Sequence, residues 1–313
     1  MTGINWNDPA FEPKAFQGLV EEYNENAVRY PYEHILPKRN TPMTFVEVVN
    51  PAFQMASPIT AQGATIQSVE REKNKKQFTC GITAISIPIN GTDRALAPID
   101  LADDAVNTIL GATRRAIEAE FENQFVKNCS ISETASGTWN NDTTDPLKDI
   151  SKAAKAIKKA TGVMPNALIG KVDVIDALEN NANVREFVKY LQPSAVNQDG
   201  IIKKLKGMTL IEAPETIVDK KGKELTKFTN NEAYLAYISS KPTGGTGFLA
   251  CAKTREELSG GAKKLVGQNK DTPLIFKTIN DMTVGGTINI TGELAFFPVI
   301  SNVKMIAKIT GVL

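Results

Sequence analysis

The chain has 313 residues, 42% hydrophobic and 23% charged, with 36 Lys and Arg against 35 Asp and Glu. That length accommodates two domains, or one domain with large extensions, around a sizeable core. A net charge of +1 excludes a uniformly basic nucleic-acid binder, which needs surplus cations to neutralise phosphates, but it leaves room for one basic face.

Residues 1–60 concentrate prolines: Pro9, Pro13, Pro31, Pro37, Pro42, Pro51 and Pro58. Each removes a backbone donor and biases its predecessor toward extended conformations. The segment therefore reads as an extended arm, helical only over 16–28. Its aromatic residues, among them Trp6, Phe16, Tyr30, Tyr32 and Phe45, require a surface to lie on, in this chain or in a neighbour. Residues 65–69 and 78–87 read as two strands, joined by a charged tip that contains Glu70, Arg71, Lys73, Lys75 and Lys76. A two-stranded ribbon is marginal in water, so this hairpin is expected to lean on something else.

Residues 99–128 read as one long amphipathic helix. Asp100 stands at the N-cap and Asp103 and Asp104 in the first turn, near the positive end of the helix dipole. Ala102, Ala105, Val106, Ile109, Ile117, Phe121 and Phe125 recur at helical spacing. Arg114, Arg115, Glu118 and Glu122 are expected on the outer side. At 1.5 Å per residue the helix is roughly 40 Å long, well beyond the usual length of about 11–12 residues.

A Ser/Thr/Gly/Asn loop over 130–144 precedes Asp145-Pro146, an N-cap followed by proline at the first helical position. The helix it opens carries a stripe of Leu147, Ile150, Ala153, Ala154 and Ile157, with Lys148, Lys152, Lys155, Lys158 and Lys159 elsewhere, and it stops at Gly162. A short strand at 167–170, helices at 172–178 and 184–191, and strands at 208–211 and 233–238 complete an α/β alternation over about 137–257. The tail is β-rich, with strands expected at 274–279, 283–299 and 303–309, and with Gly285, Gly286 and Gly292 as expected bulges or bends.

Signs of chemistry are sparse. The single histidine, His34, lies in the arm, so no Ser/His/Asp or Cys/His set can be assembled. Cys80, Cys129 and Cys251 lack metal-binding spacing and are odd in number, which fits a reduced compartment without a disulfide framework. The loop 243–247 is glycine-rich but lacks the Lys-Ser/Thr of a phosphate-binding loop. No apolar run approaches about 20 residues, so no membrane span is expected, and the N-terminus lacks the layout of a signal peptide. No catalytic, cofactor-binding or metal-binding residue is assigned. What the chain offers instead is an apolar arm, a projecting hairpin, a long helix and long strands, all of which need neighbours.

This order of parts resembles the major capsid proteins of tailed bacteriophages, whose shell fold is shared with encapsulins and the floors of herpesvirus capsids. The motif-like part of the resemblance covers 139–178: Asp145-Pro146-Leu147, a helix to Ala160, Thr161-Gly162 with Pro165-Asn166, the strand Leu168-Ile169-Gly170, and Asp176-Ala177-Leu178. The resemblance implies an α+β shell fold with an N-terminal arm (1–60), an extended hairpin loop (61–96), a spine helix beginning the peripheral domain (97–136), an axial domain (137–257) and returning peripheral strands (258–313).

It further implies a structural protein, not an enzyme, without cofactors. Such a subunit would assemble with itself, as pentamers and hexamers, into an icosahedral phage head. It would enclose double-stranded DNA held non-specifically, with a portal and a separate scaffolding protein as partners. Assembly in the host cytoplasm and residence in the virion follow. Glu70, Arg71, Lys73, Lys75, Lys76, Arg114, Arg115, Glu118 and Glu122 become candidate subunit contacts. Two alternatives stand beside this reading: an encapsulin-like compartment, and a soluble α/β enzyme or binding protein.

Overall fold

A computed structural model describes residues 30–41, 44–48, 75–90, 101–189, 202–213, 217, 225–239, 248–252, 274–281 and 287–313. The helix expected over 16–28, the strand over 65–69, the tip residues Glu70, Arg71 and Lys73, the 243–247 loop and Gly285-Gly286 lie outside the described residues.

The organising element is α2, Leu101–Lys127, a 27-residue helix that follows α1, Pro31–Ile35. Its buried positions fall in adjacent pairs every three to four residues, such as Ile109 with Leu110 and Phe121 with Glu122. That spacing makes a broad stripe able to meet two surfaces. Ile109, Leu110, Ile117, Phe121 and Phe125, each at most 3% exposed, share one core with residues from both main sheets.

The first of these sheets is built on β12, Thr287–Val299, whose 13 residues serve three partners. Antiparallel to it run β4, Gly81–Asn90, β11, Leu274–Asp281, and β10, Phe248–Ala252. Parallel to β10 lies β1, Lys38–Thr41. Ile288, Ile290 and Leu294 of β12 face α2, as a period of two requires. Gly292 interrupts nothing, because it pairs in register with both Phe276 and Ile85; the bulge expected there is absent.

The second sheet has the strand order β5-β13-β9-β6-β8-β7. Its members are β5, Ile131–Thr134, β6, Ala167–Lys171, β7, Lys204–Leu205, β8, Met208–Ala213, β9, Glu232–Ala236, and β13, Ile306–Thr310. Alternation divides its side chains cleanly. Ala167, Ile169, Ile211, Tyr234 and Ala236 face the spine helix. Leu168, Leu235, Ala307 and Ile309 face a layer formed by α3, Pro146–Thr161, α4, Val172–Asn180, and α5, Ala182–Val188. Strand β6 is buried on both sides, which explains its unbroken apolar run.

Two strands cross the boundary expected at 257/258. Strand β13, read as a returning peripheral strand, pairs with β5 and β9 in the second sheet. Strand β10, read within the axial segment, pairs with β12. The hairpin also differs from expectation. Its described part divides at Cys80: β3, Lys75–Thr79, pairs with β2, Thr44–Val48, whereas β4 pairs with β12. Cys80 is 1% exposed and packs in a small cluster with Phe45 and Val299, anchoring the chain where it changes partner. The β2–β3 ribbon gains a hydrophobic footing through Phe78, which stacks on Phe45 at 5.7 Å and meets Phe297 at 5.8 Å. The arm thus finds part of its surface in its own chain.

Local capping shapes the helices that cover the second sheet. The Asp145 carboxylate accepts from the Leu147 N–H at 3.0 Å, and Gly162, at φ 76°, closes α3 in the left-handed region. Buried Asp149 accepts from the Trp139 indole and the Ser136 hydroxyl, both at 3.2 Å, and from the Ser136 N–H at 3.1 Å. Asn181 donates to the carbonyls of Trp139, Asn141 and Thr144. Together they fix the 135–145 loop to α3 and to the start of α5.

Candidate functional site

Among the described residues no group of three or more His, Cys, Asp or Glu is arranged to hold a metal ion. His34 is exposed in the last turn of α1. Cys80 is buried and Cys129 half-buried, and burial pushes the Cys129 thiol up to about 11, which favours its protonated form at neutral pH. No helix among the described residues is long and apolar enough to cross a membrane.

The polar architecture that does stand out is carried by the spine helix. Arg114, Glu118 and Glu122 are spaced by four residues and therefore share one face. That face is not the outer one. Arg114 is 5% exposed and both glutamates are 0% exposed, which corrects the expectation for three of the four helix charges. Arg115 alone of the four is exposed.

Each buried charge holds a segment distant in sequence. The Arg114 Nε donates to Glu33 Oε1 at 2.9 Å, and a second guanidinium nitrogen completes the ion pair. The same guanidinium lies 5.9 Å from the centre of the Tyr30 ring, within cation–π range. Glu118 Oε2 accepts from the Tyr32 backbone N–H at 3.1 Å. Glu122 Oε2 accepts from the backbone N–H groups of Lys227, at 2.5 Å, and Phe228, at 3.1 Å. Two turns of one helix thus clamp the arm segment at 30–36 and the loop entering β9.

Apolar contacts reinforce the clamp. Phe125 meets Phe228 and Tyr234, both at 5.8 Å and edge-on. The electrostatic cost concentrates on Glu118. Burial first, and then the Glu122 carboxylate, lift its pKa well above the usual value, against the opposing pull of the Tyr32 N–H. The Tyr32 phenol is likewise raised, by burial and by Glu33. These groups position chain segments.

The hairpin charges are placed only in part. Lys75 and Lys76 are in strand β3 and not at a turn, so the expectation of a tip is corrected for both. Lys76 is exposed, with its ammonium 5.5 Å from the Phe78 ring centre. Sequence reasoning missed α1 and the 225–228 loop as partners of the spine. The one available signal was the spacing of Glu118 and Glu122, each immediately following a core residue, Ile117 and Phe121.

Comparison with other proteins places this architecture. No curated protein sequence matches the chain. Among solved structures, a phage-related protein from Bordetella bronchiseptica superposes with a TM-score of 0.63 at 17% identity, covering 94% of this chain and 96% of that one. The capsid of cyanophage P-SCSP1u gives 0.58 at 9% identity, covering 91% and 89%. The encapsulin of Synechococcus elongatus gives 0.56 at 10% identity, covering 94% and 95%. At these identities the likeness is one of fold, and the fold is the α+β capsid shell fold. Residues 96–310 match the family model for phage major capsid protein E, a span that takes in α2, the six-stranded sheet and β12. Family membership displaces the reading as a soluble enzyme or binding protein: this is a structural capsid shell protein, and the chain belongs to the phage major capsid protein E family.

Proposed function

We propose that this chain is the repeating subunit of the icosahedral head of a tailed phage, assembling with itself as pentamers and hexamers around double-stranded DNA. The observation that carries the proposal is the family match over 96–310 on a fold whose spine helix joins two sheets and the arm. A wall element of this kind works by geometry, and a rigid helix with buried charge clamps supplies a unit that keeps its shape under load. In this reading the axial sheet with its helix layer, over 137–257, gathers around the symmetry axes. The sheet on β12 forms the wall, and the hairpin over 61–96 with the arm over 1–60 reaches neighbouring copies. Lys76 and Arg115, whose side chains are exposed, are contact candidates in this reading, together with Glu70, Arg71, Lys73 and Lys75 from the sequence. A separate scaffolding protein and a portal are the partners such a head needs, and assembly takes place in the host cytoplasm.

Electron microscopy of the expressed chain tests the proposal, with closed particles as the expected result and a uniformly monomeric protein as the contrary one. Replacing residues 70–74 by a Gly/Ser linker leaves β3 and β4 intact and tests the hairpin separately: subunits should stay folded and fail to close shells. The encapsulin-like alternative is favoured by the Synechococcus elongatus superposition. Particle contents decide between the two, since a phage head holds nucleic acid and a compartment holds protein.

A further inference from the structure

Net charge near zero hides an uneven distribution. The exposed face of α3 carries Lys148, Lys152, Lys155, Lys158 and Lys159 and no acidic residue, because the only acid within the helix, Asp149, is buried beneath it. Lys148, Lys152, Lys155 and Lys159 follow one another at steps of four, three and four, a single stripe about 16 Å long at 1.5 Å per residue. Two of these cations have partners in their own subunit: Lys148 pairs with Asp145 at 3.4 Å and Lys152 with Glu133 at 2.7 Å. Lys155, Lys158 and Lys159 have none among the described residues.

A sixth cation is built into the same surface. The two-residue turn between β7 and β8 places Lys206 at φ 50°, a left-handed conformation unusual for a residue with a side chain. From there its ammonium donates to the Leu147 carbonyl at 2.8 Å and the Ser151 hydroxyl at 2.5 Å. Burial lowers its pKa, the Asp145 carboxylate opposes that shift and the Lys155 ammonium adds to it. The turn therefore adds positive potential at the N-terminal end of the stripe, where the helix dipole is positive as well.

We infer that the lysine face of α3, extended by Lys206, is the lumenal surface of the subunit and holds the phosphate backbone of duplex DNA without reading its sequence. The inference rests on the shell reading above. Two features favour nucleic acid over an acidic protein partner. Protein–protein interfaces are depleted in lysine and anchored by buried aromatic or apolar groups, and the exposed large apolar residues among the described residues, Val46 and Met164, are not on α3. Nucleic-acid interfaces are polar and strongly positive, and lysine, a compact point charge, suits non-specific contact with phosphates better than paired recognition.

The test uses the full chain dissociated into free subunits, so that the face is open to solution, and a fluorescent 30-base-pair duplex of random sequence, titrated across salt concentrations. Each phosphate contact contributes about 0.9 to the slope of log affinity against log salt. The triple variant Lys155→Gln, Lys158→Gln, Lys159→Gln should therefore flatten the slope by nearly three and weaken binding roughly 10²-fold at 0.1 M salt. The corresponding triple Lys→Arg variant should bind like the parent, and scrambling the duplex sequence should change nothing. An unchanged slope in the glutamine variant, or no DNA binding by the parent, overturns the inference. Loss of particle assembly in the glutamine variant with an unchanged slope also overturns it, and assigns the face to an acidic surface of another copy. Failure of the parent to form any particle is a different result: it removes the shell reading itself.

Discussion

The backbone N–H of Tyr32 donates to the carboxylate of Glu118, 86 residues away in sequence, at 3.1 Å. The contact ties the N-terminal segment to the middle of the spine helix. It also explains why a glutamate sits at a fully buried position: a carboxylate oxygen can satisfy the first free donor of α1 where an apolar side chain cannot. Glu122 does the same one turn on for Lys227 and Phe228. The spine is therefore both a beam and the docking strip for two connecting segments, and the polar groups that do the docking lie inside the subunit.

The position of Glu118 gives a stability difference that depends on pH. Burial and the neighbouring Glu122 raise its pKa well above the ordinary glutamate value. A carboxyl with a raised pKa binds more protons folded than unfolded, so its contribution to stability falls as pH rises from about the ordinary glutamate value through the raised one. Glu118→Gln removes that dependence. In denaturant titrations of the full chain, the variant should gain on the parent by up to about 1.4 kcal/mol per pH unit across that window, and the difference should be flat below it. A difference that shrinks with rising pH would contradict the assignment.

Arg114 makes the complementary prediction for the arm. Its side chain is 6% exposed and that of Glu33 is 18% exposed, so removing one partner strands a largely buried charge. Arg114→Met should cost about 3 kcal/mol and release the 30–36 segment from the spine. Limited proteolysis of free subunits should then cut near α1 in the variant and not in the parent. The double variant with Glu33→Gln should recover part of the loss, because no charge remains unpaired.

How much of this was legible in the sequence varies with the range of the interaction. Helix α2 is readable from its period, and α3 also because its cap and stop are local: Asp145 and Gly162 mark the ends of α3 as expected. The axial strands are readable from their apolar runs. Strand partnership is not, because alternation says that a segment is a strand and which face is apolar, but not which neighbour it pairs with. This is why β13 and β10 changed sheets and β4 found β12. The buried charges were illegible for a related reason. A glutamate beside a core position looks solvent-exposed until a distant backbone N–H arrives to meet it, and α1, five residues opened by Pro31, is too short to show a period.

Asp149 should be the most sensitive polar position of the axial layer. Its carboxylate satisfies the Trp139 indole, which is 0% exposed, together with two donors of Ser136. Asp149→Ala leaves these donors without a partner and should cost about 3 kcal/mol. Asp149→Asn, which keeps an acceptor oxygen, should lose less than half as much. The near-ultraviolet circular dichroism of the alanine variant should weaken as the Trp139 packing loosens. An alanine variant as stable as the parent would mean that water takes over the role of Asp149.

Two glycines in the same layer separate backbone strain from crowding. Gly162 has φ +76° and open space where a Cβ would stand, so Gly162→Ala should cost about 1–2 kcal/mol through the torsion alone. Asn, which tolerates the left-handed region, should cost less than Ala there. At Gly170 a Cβ would lie 3.1 Å from Val174 Cγ1 and 3.3 Å from Ile175 Cδ1. Substitution there forces the β6–α4 connection apart, and the cost grows with side-chain size, so Asn should be worse than Ala. The order of Ala and Asn should therefore invert between the two sites in thermal unfolding of the full chain. The same order at both would mean that a single mechanism, torsion or crowding, governs them.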